Sequence, residues 1–210
     1  MYLISVMPTQ AIVIHKGRIL TRSFYTRKTD IVARDLLGKL IVCPAKNKIL
    51  SAKIVETEAY FGNGEDPASH AHRGPTPRSA IMFGPAGVAY VYFNYGVHWL
   101  LNFVAKEDSQ AGAVLIRAVQ PVEGLELMLK NRPTAASNLT NGPGKLTKAL
   151  GIDGSHNGID VTKVKSKFYV ADFLSADFEI GESCRVGIKK GVEKQLRFFI
   201  KGNPFVSRVY

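Results

Sequence analysis

The stretch "KLIVCPAKNKILSAKIVETEAY", Lys39–Tyr60, decides the fold. Two runs rich in β-branched and apolar residues, "KLIVCPA" and "KILSAKIVETEAY", flank the polar turn "KNK", the pattern of two antiparallel strands. Upstream, "TDIVARDLLGK" supplies Thr29 or Asp30 as a cap, apolar Ile31, Val32, Leu36 and Leu37, and Gly38 as a stop, so a short helix precedes the strands. Downstream, residues 61–78 turn to Gly, Pro, Asp, His and Arg, a long loop of the kind that carries function. "VAYVYFNYGVHWLLNFVA" then predicts a hairpin turning near Tyr95 and Gly96, and "AVLIRAVQ" a further strand. Helical spacing returns in "PVEGLELMLKNR", which Pro121 can open and in which Leu125, Met128 and Leu129 share a face, and again in "GPGKLTKALG". No repeat or break in composition divides the chain. The expected architecture is α+β, one domain over residues 1–210 built on a mostly antiparallel, curved sheet with flanking short helices, behind a loosely packed segment 1–20.

The chain carries 28 Lys+Arg against 17 Asp+Glu, a formal charge of +11, which favours a polyanionic partner, nucleic acid before membrane. The tail from Arg185 has seven Lys/Arg against the single acid Glu193. No apolar run reaches the roughly 20 residues that span a bilayer, and the start lacks a cationic secretory signal. A cytosolic protein with no membrane partner is expected. Cys43 and Cys184 sit far apart among apolar residues with no CxxC spacing, so both are expected reduced and buried.

Against this basic background, Glu56, Glu58, Glu65 and Asp66 fall within eleven residues, beside Tyr60, His70 and His72. Strand periodicity aims Glu56 and Glu58 the same way. A carboxylate there either faces solvent, acts as general base on a water, or stabilises a cation developing on a sugar. His70 and His72 with Glu58 admit a metal site, but the HxH spacing is common and no other motif supports it, so no metal or other cofactor is expected. Alternation in "VAYVYFNYG" puts Tyr90, Tyr92 and Asn94 on one strand face and Val91, Phe93 and Tyr95 on the other, with the turn able to release Tyr95. A tyrosine at a hairpin tip in a basic protein can stack on a base or wedge between base pairs. "NGPGKL" is not a nucleotide-phosphate loop, because Leu139 and Leu146 stand where that motif needs Gly and Ser or Thr; Lys145 at a helix start suits one backbone phosphate or a plain cap.

Taken in order, "ETEAY", "SHAHRGPTPRSAIMFGPAG", "YVYFNYG", "LLN", "AVLIRA" and "GPGKL" closely resemble the alkyladenine DNA glycosylases, the mammalian type of 3-methyladenine DNA glycosylase, over nearly the whole chain from "DLLGKLIV" to "FFIKGNPFVS". The resemblance implies a monofunctional repair enzyme that flips an alkylated or deaminated purine out of duplex DNA and hydrolyses its N-glycosidic bond, leaving an abasic site. By the same resemblance Glu58 matches the general base, Arg117 the arginine that holds the water and the carboxylate, and Tyr60, His70 and Tyr92 the residues around the flipped base. Tyr95 matches the intercalating tyrosine, and Asn102 an asparagine that disfavours the guanine amino group. A cationic alkylpurine should stack well on electron-rich tyrosine faces. The implied partner is double-stranded DNA with damaged purines, bound by a monomer. Asn94 and Ala86 depart from the family pattern, at an expected aliphatic residue and an expected second proline. A glycosylase that is also a lyase would need a lysine nucleophile, and the pocket positions inferred from the sequence contain none.

Overall fold

The computed structural model describes residues 17–45, 48–173 and 177–207. The expected loose segment 1–20 therefore lies outside the described residues up to 16, and so do positions 46 and 47 of the expected turn. Ile19 makes an isolated antiparallel bridge to Ala171.

The long strand β2 (Lys48–Phe61) organises the molecule. Its neighbour β1 (Leu40–Ala45) pairs antiparallel with its first half, Leu40 opposite Lys53 and Ala45 opposite Lys48. On its other edge β5 (Gly112–Glu123) follows it from Ser51 to Phe61. The hairpin of β3 (Ala89–Asn94) and β4 (His98–Val104) extends the sheet beyond β5, and β6 (Tyr169–Ala171) closes the far side beyond β1. Where β1 ends its pairing, β8 (Arg197–Ile200) takes over the edge of β2 at Glu56–Glu58 and pairs in turn with β7 (Ile180–Ser183). All named strand pairs are antiparallel.

Short helices flank this sheet. α1 (Arg22–Tyr25) leads into α2 (Thr29–Asp35), which seals one face of β2 and β5 through Val32, Ala33 and Leu36, all fully buried. Thr29 begins the helix without capping it, because its hydroxyl donates to Ala105 O at 2.8 Å. Ile31 faces outward, 44% exposed. Burying side chains such as Leu36, Ile54, Leu101, Phe103, Ile116 and Phe198 stabilises the fold by about 1.5–3 kcal/mol each relative to exposure.

The helix expected to open at Pro121 starts later. α3 spans Leu125–Asn131, after Gly124 in a left-handed conformation at φ 78°. Pro121 instead belongs to β5, paired with Ala52 beside a register shift, where a missing N–H is tolerated. Met128 is buried but Leu125 is 43% exposed, so the expected shared face is incomplete. The expected helix in "GPGKLTKALG" is α4 (Pro143–Leu150), which has Pro143 at its start and ends on Gly151 at φ 70°. It packs on β4, where the Thr147 hydroxyl donates to Trp99 O at 2.8 Å.

Candidate active site

Three register shifts interrupt the β2 to β5 ladder, two of them flanking Glu56. They skip Val55 on β2 and Arg117 on β5, and such irregularities re-aim side chains. Arg117 consequently reaches both acids of "ETE". Its Nε donates to Glu56 Oε1 at 2.8 Å, and its Nη1 stands 3.1 Å from Glu58 Oε1. The two glutamates share Arg117 but differ in their other hydrogen-bond partners. Glu56 also accepts from Arg197 Nε at 2.7 Å, Ser207 N at 2.7 Å and the Ser207 hydroxyl at 2.7 Å, and it is wholly buried. Every bond it makes ties strands and tail together.

Glu58, equally buried, is held by groups that face open space. Tyr60 donates its hydroxyl to Glu58 Oε2 at 2.7 Å, and the Val186 N–H donates to Oε1 at 2.7 Å. Tyr60, Arg117 and Val186 all line one cavity of about 490 Å³, within the size range of small-molecule sites. Burial first, then the Glu58 charge, push the Tyr60 hydroxyl pKa up, so it remains a donor. Burial opposes the Arg117 charge, but Glu58 and then Glu56 outweigh it and raise its pKa.

The structure brings Tyr60, His70, Tyr92, Tyr95, Asn102 and Arg117 to that cavity, with Glu58 directly behind its wall. Tyr90, Tyr92 and Asn94 line it together, as strand alternation requires, while Val91 points into the core. Phe93 is 46% exposed and leans on Trp99. Asn102 lies opposite Tyr90 and donates its Nδ2 to Tyr90 O at 3.0 Å. His70 Nδ1 is 2.9 Å from the Tyr90 hydroxyl, and its ring meets Tyr92 edge-on. Packing on that side, and then the Arg78 charge, hold the His70 pKa below the usual imidazole range. No group of three metal-ligating side chains stands together among the described residues.

Tyr95 occupies the hairpin tip in a left-handed conformation, φ 51°, followed by Gly96 at φ 68°, in a turn closed by Val97 N to Asn94 O at 3.2 Å. A non-glycine residue there costs roughly 1–3 kcal/mol, and here it projects an aromatic ring that is 85% exposed.

Lys145 does not join the cavity. Its Nζ donates to Asn138 Oδ1 at 2.6 Å and Asn141 Oδ1 at 2.8 Å, and Pro143 is the α4 residue that lines the opening. Lys189 and Lys190, both exposed, do line it, contrary to the expectation of a lysine-free pocket. Asp66, from the acidic stretch, is buried against Arg185, while Glu65 is exposed. Cys43 is buried, and burial pushes its thiol pKa up to about 12. Cys184, against expectation, is exposed just beyond the end of β7 at Ser183. Of the two departures from the family pattern, Asn94 lies at the cavity and Ala86 in the core.

The antiparallel sheet thus carries a buried carboxylate behind an aromatic-walled cavity. The family model described as "Methylpurine-DNA glycosylase (MPG)" matches residues 23–204, and the chain belongs to that family. It is 48% identical over 199 residues to a protein of Prosthecochloris aestuarii, covering 91% of this chain and 92% of that one. It is 42% identical to one of Koribacter versatilis over 90% of this chain and 92% of that one. With one of Carboxydothermus hydrogenoformans it shares 44% identity over 90% of this chain and 99% of the other. All three bear the name "Putative 3-methyladenine DNA glycosylase". The chain is thus a DNA glycosylase, a hydrolase of N-glycosyl bonds in DNA. Among the described residues no helix is long and apolar enough to cross a membrane.

Proposed function

We propose that this glycosylase flips alkylated or deaminated purines from duplex DNA into the cavity lined by Tyr60, His70 and Tyr92, and hydrolyses the N-glycosidic bond with a water activated by Glu58. The observation that carries this reading is the fixation of Glu58 by Tyr60, Arg117 and Val186, three donors that belong to the cavity wall. A carboxylate has about four acceptor positions, and the two hydrogen bonds from Tyr60 and Val186 leave capacity for a water proton. As the bond from the sugar to the purine lengthens, positive charge builds on the deoxyribose and the buried Glu58 stabilises it. The water oxygen bonds to C1′, its proton passes to Glu58, and the purine departs with the bonding electrons. A cationic purine leaves neutral; a neutral one leaves as an anion and takes a proton from solvent. Arg117 keeps Glu58 aimed. Lys145, Lys189 and Lys190 meet backbone phosphates.

Tyr95 fills the gap left by the flipped nucleotide. Its exposure at a strained tip supports this role. Tyr95→Ala is expected to slow excision from fully paired duplex by about tenfold, and less where the lesion lies in a bulge, since unstacking there is cheaper. Equal losses on the two substrates, measured under single turnover, would show that Tyr95 acts otherwise.

Asn102 disfavours the guanine amino group, a role supported by its position in the cavity wall, where it is 4% exposed and tethered to Tyr90 O. Asn102→Gly should raise guanine release relative to hypoxanthine by about tenfold on matched duplexes. An unaltered ratio in a variant of unchanged melting temperature would place the gate elsewhere. The reading as a whole is tested by base release from duplexes that each carry one 3-methyladenine, 7-methylguanine, 1,N6-ethenoadenine or hypoxanthine.

A further inference from the structure

Two of the cavity's aromatic walls are backed by a cation. Arg185 Cζ lies 4.6 Å from the centroid of Tyr60, and Arg78 Cζ lies 4.6 Å from the centroid of Tyr92. Neither arginine lines the cavity, so each guanidinium rests on its ring from outside. A ring that already holds a cation on one face offers less to a second cation on the other. The 4.6 Å spacing plus a stacking distance of about 3.5 Å puts the two charges about 8 Å apart, no more than a physiological screening length.

The two arginines are not equivalent. Arg185 is buried and grips Asp66 with both terminal nitrogens, Nη2 to Oδ1 at 2.8 Å, so its charge is offset where it stands. Arg78 forms no ion pair among the described residues; its Nη2 donates to Phe93 O at 3.3 Å. Its charge therefore reaches the cavity through Tyr92, and beside it His70 and Tyr90, without local cancellation.

Granting that the flipped base occupies the cavity beside Tyr92, we infer that Arg78 is a specificity-determining residue that weakens binding of purines already carrying a positive charge and favours neutral damaged purines. The same repulsion acts on the chemistry. A cationic purine loses its charge as it departs, so a bound state raised by Arg78 relaxes toward the transition state, and its maximal rate gains what its binding loses.

The test compares duplexes carrying one 7-methylguanine, cationic, or one hypoxanthine, neutral, in the same sequence. Single-turnover excision against enzyme concentration gives a half-saturation concentration and a maximal rate for the wild type, Arg78→Met, Arg78→Lys and Tyr92→Leu. Arg78 is exposed, so its variants keep the core intact. Any loss of phosphate contact affects both duplexes alike and cancels in their ratio. In Arg78→Met the half-saturation concentration for 7-methylguanine relative to hypoxanthine is expected to fall about three- to tenfold, with a lower maximal rate for 7-methylguanine. Arg78→Lys, which keeps the charge, should hold the wild-type ratio. A ratio within twofold of wild type in Arg78→Met, while Tyr92→Leu impairs both lesions, overturns the inference and leaves the pocket reading standing. An equal change in Arg78→Met and Arg78→Lys also overturns it, because shape and not charge would then be at work. Wild-type excision of both lesions by Tyr92→Leu overturns the pocket reading and the inference with it.

Discussion

Glu58→Gln is expected to lower single-turnover excision by about 10²- to 10⁴-fold, the range a positioned general base supplies. The amide keeps the volume of the side chain but cannot take the water proton, and it removes the negative charge facing the developing sugar cation. The surroundings add a second consequence. Glu58 accepts from the Tyr60 hydroxyl and the Val186 N–H and is ion-paired with Arg117, whose Nη1 stands 3.1 Å away. One arm of an amide is itself a donor and can turn to the Tyr60 hydroxyl, which also accepts, but the neutral amide leaves the buried Arg117 with one carboxylate instead of two. The variant should therefore melt a few degrees lower as well as lose activity. Lesion binding, carried by the aromatic walls and the basic rim, should persist. Excision within tenfold of wild type at a temperature where the variant is folded would remove Glu58 from the mechanism.

Glu56→Ala should have the largest effect on stability. The fully buried carboxylate receives Arg117, Arg197 and both the N–H and the hydroxyl of Ser207. Removing it leaves two buried guanidinium groups facing each other with one carboxylate, Glu58, in reach of Arg117 alone. Breaking a buried ion pair in this way costs about 3–5 kcal/mol. At about 2–4 °C per kcal/mol for a chain of this size, the melting temperature should drop by about 10 °C. Excision should fall too, because Arg117 loses the partner that fixes its Nε. Thermal melting decides the point, and a shift under about 2 °C would mean that the ion-pair cluster is not what holds β2, β5, β8 and the tail together.

These two glutamates show where reading the sequence succeeds and where it stops. Strand periodicity in "ETE" aims both acids to one side, and both do meet Arg117. Nothing in the spacing says that Glu56 is bound by Arg197 and Ser207, which lie about 140 and 151 positions away in the chain, since pairing over such distances depends on which strand β8 joins. The strands β1 to β5 are legible because each is long enough to show alternation or a continuous apolar run. β6, β7 and β8, of three to four residues each, are too short for either pattern. Pro121 carries a helix-start signature, but pairing with β2 overrides it. Within the cavity, Tyr60, Tyr92 and Tyr95 announce themselves by side-chain type beside a strand end and a turn, while Asn102 is marked only by the family resemblance. The Val186 N–H does not, because a backbone group carries no residue signature. Arg78 and Arg185 are one guanidinium among many in a chain with 28 cationic residues, and only their position over Tyr92 and Tyr60 marks them.

The most direct measurement incubates the purified protein, wild type and Glu58→Gln, with duplexes carrying a single 7-methylguanine or hypoxanthine, and follows the freed base by mass together with the state of the DNA strand. The wild type should release the damaged purine and leave a strand that stays intact until alkali cleaves it at the abasic site, with no protein trapped on DNA by borohydride, while Glu58→Gln releases almost none. Failure of the wild type to free either base, borohydride trapping of the protein on the strand, or undiminished release by Glu58→Gln would contradict hydrolysis by a Glu58-activated water.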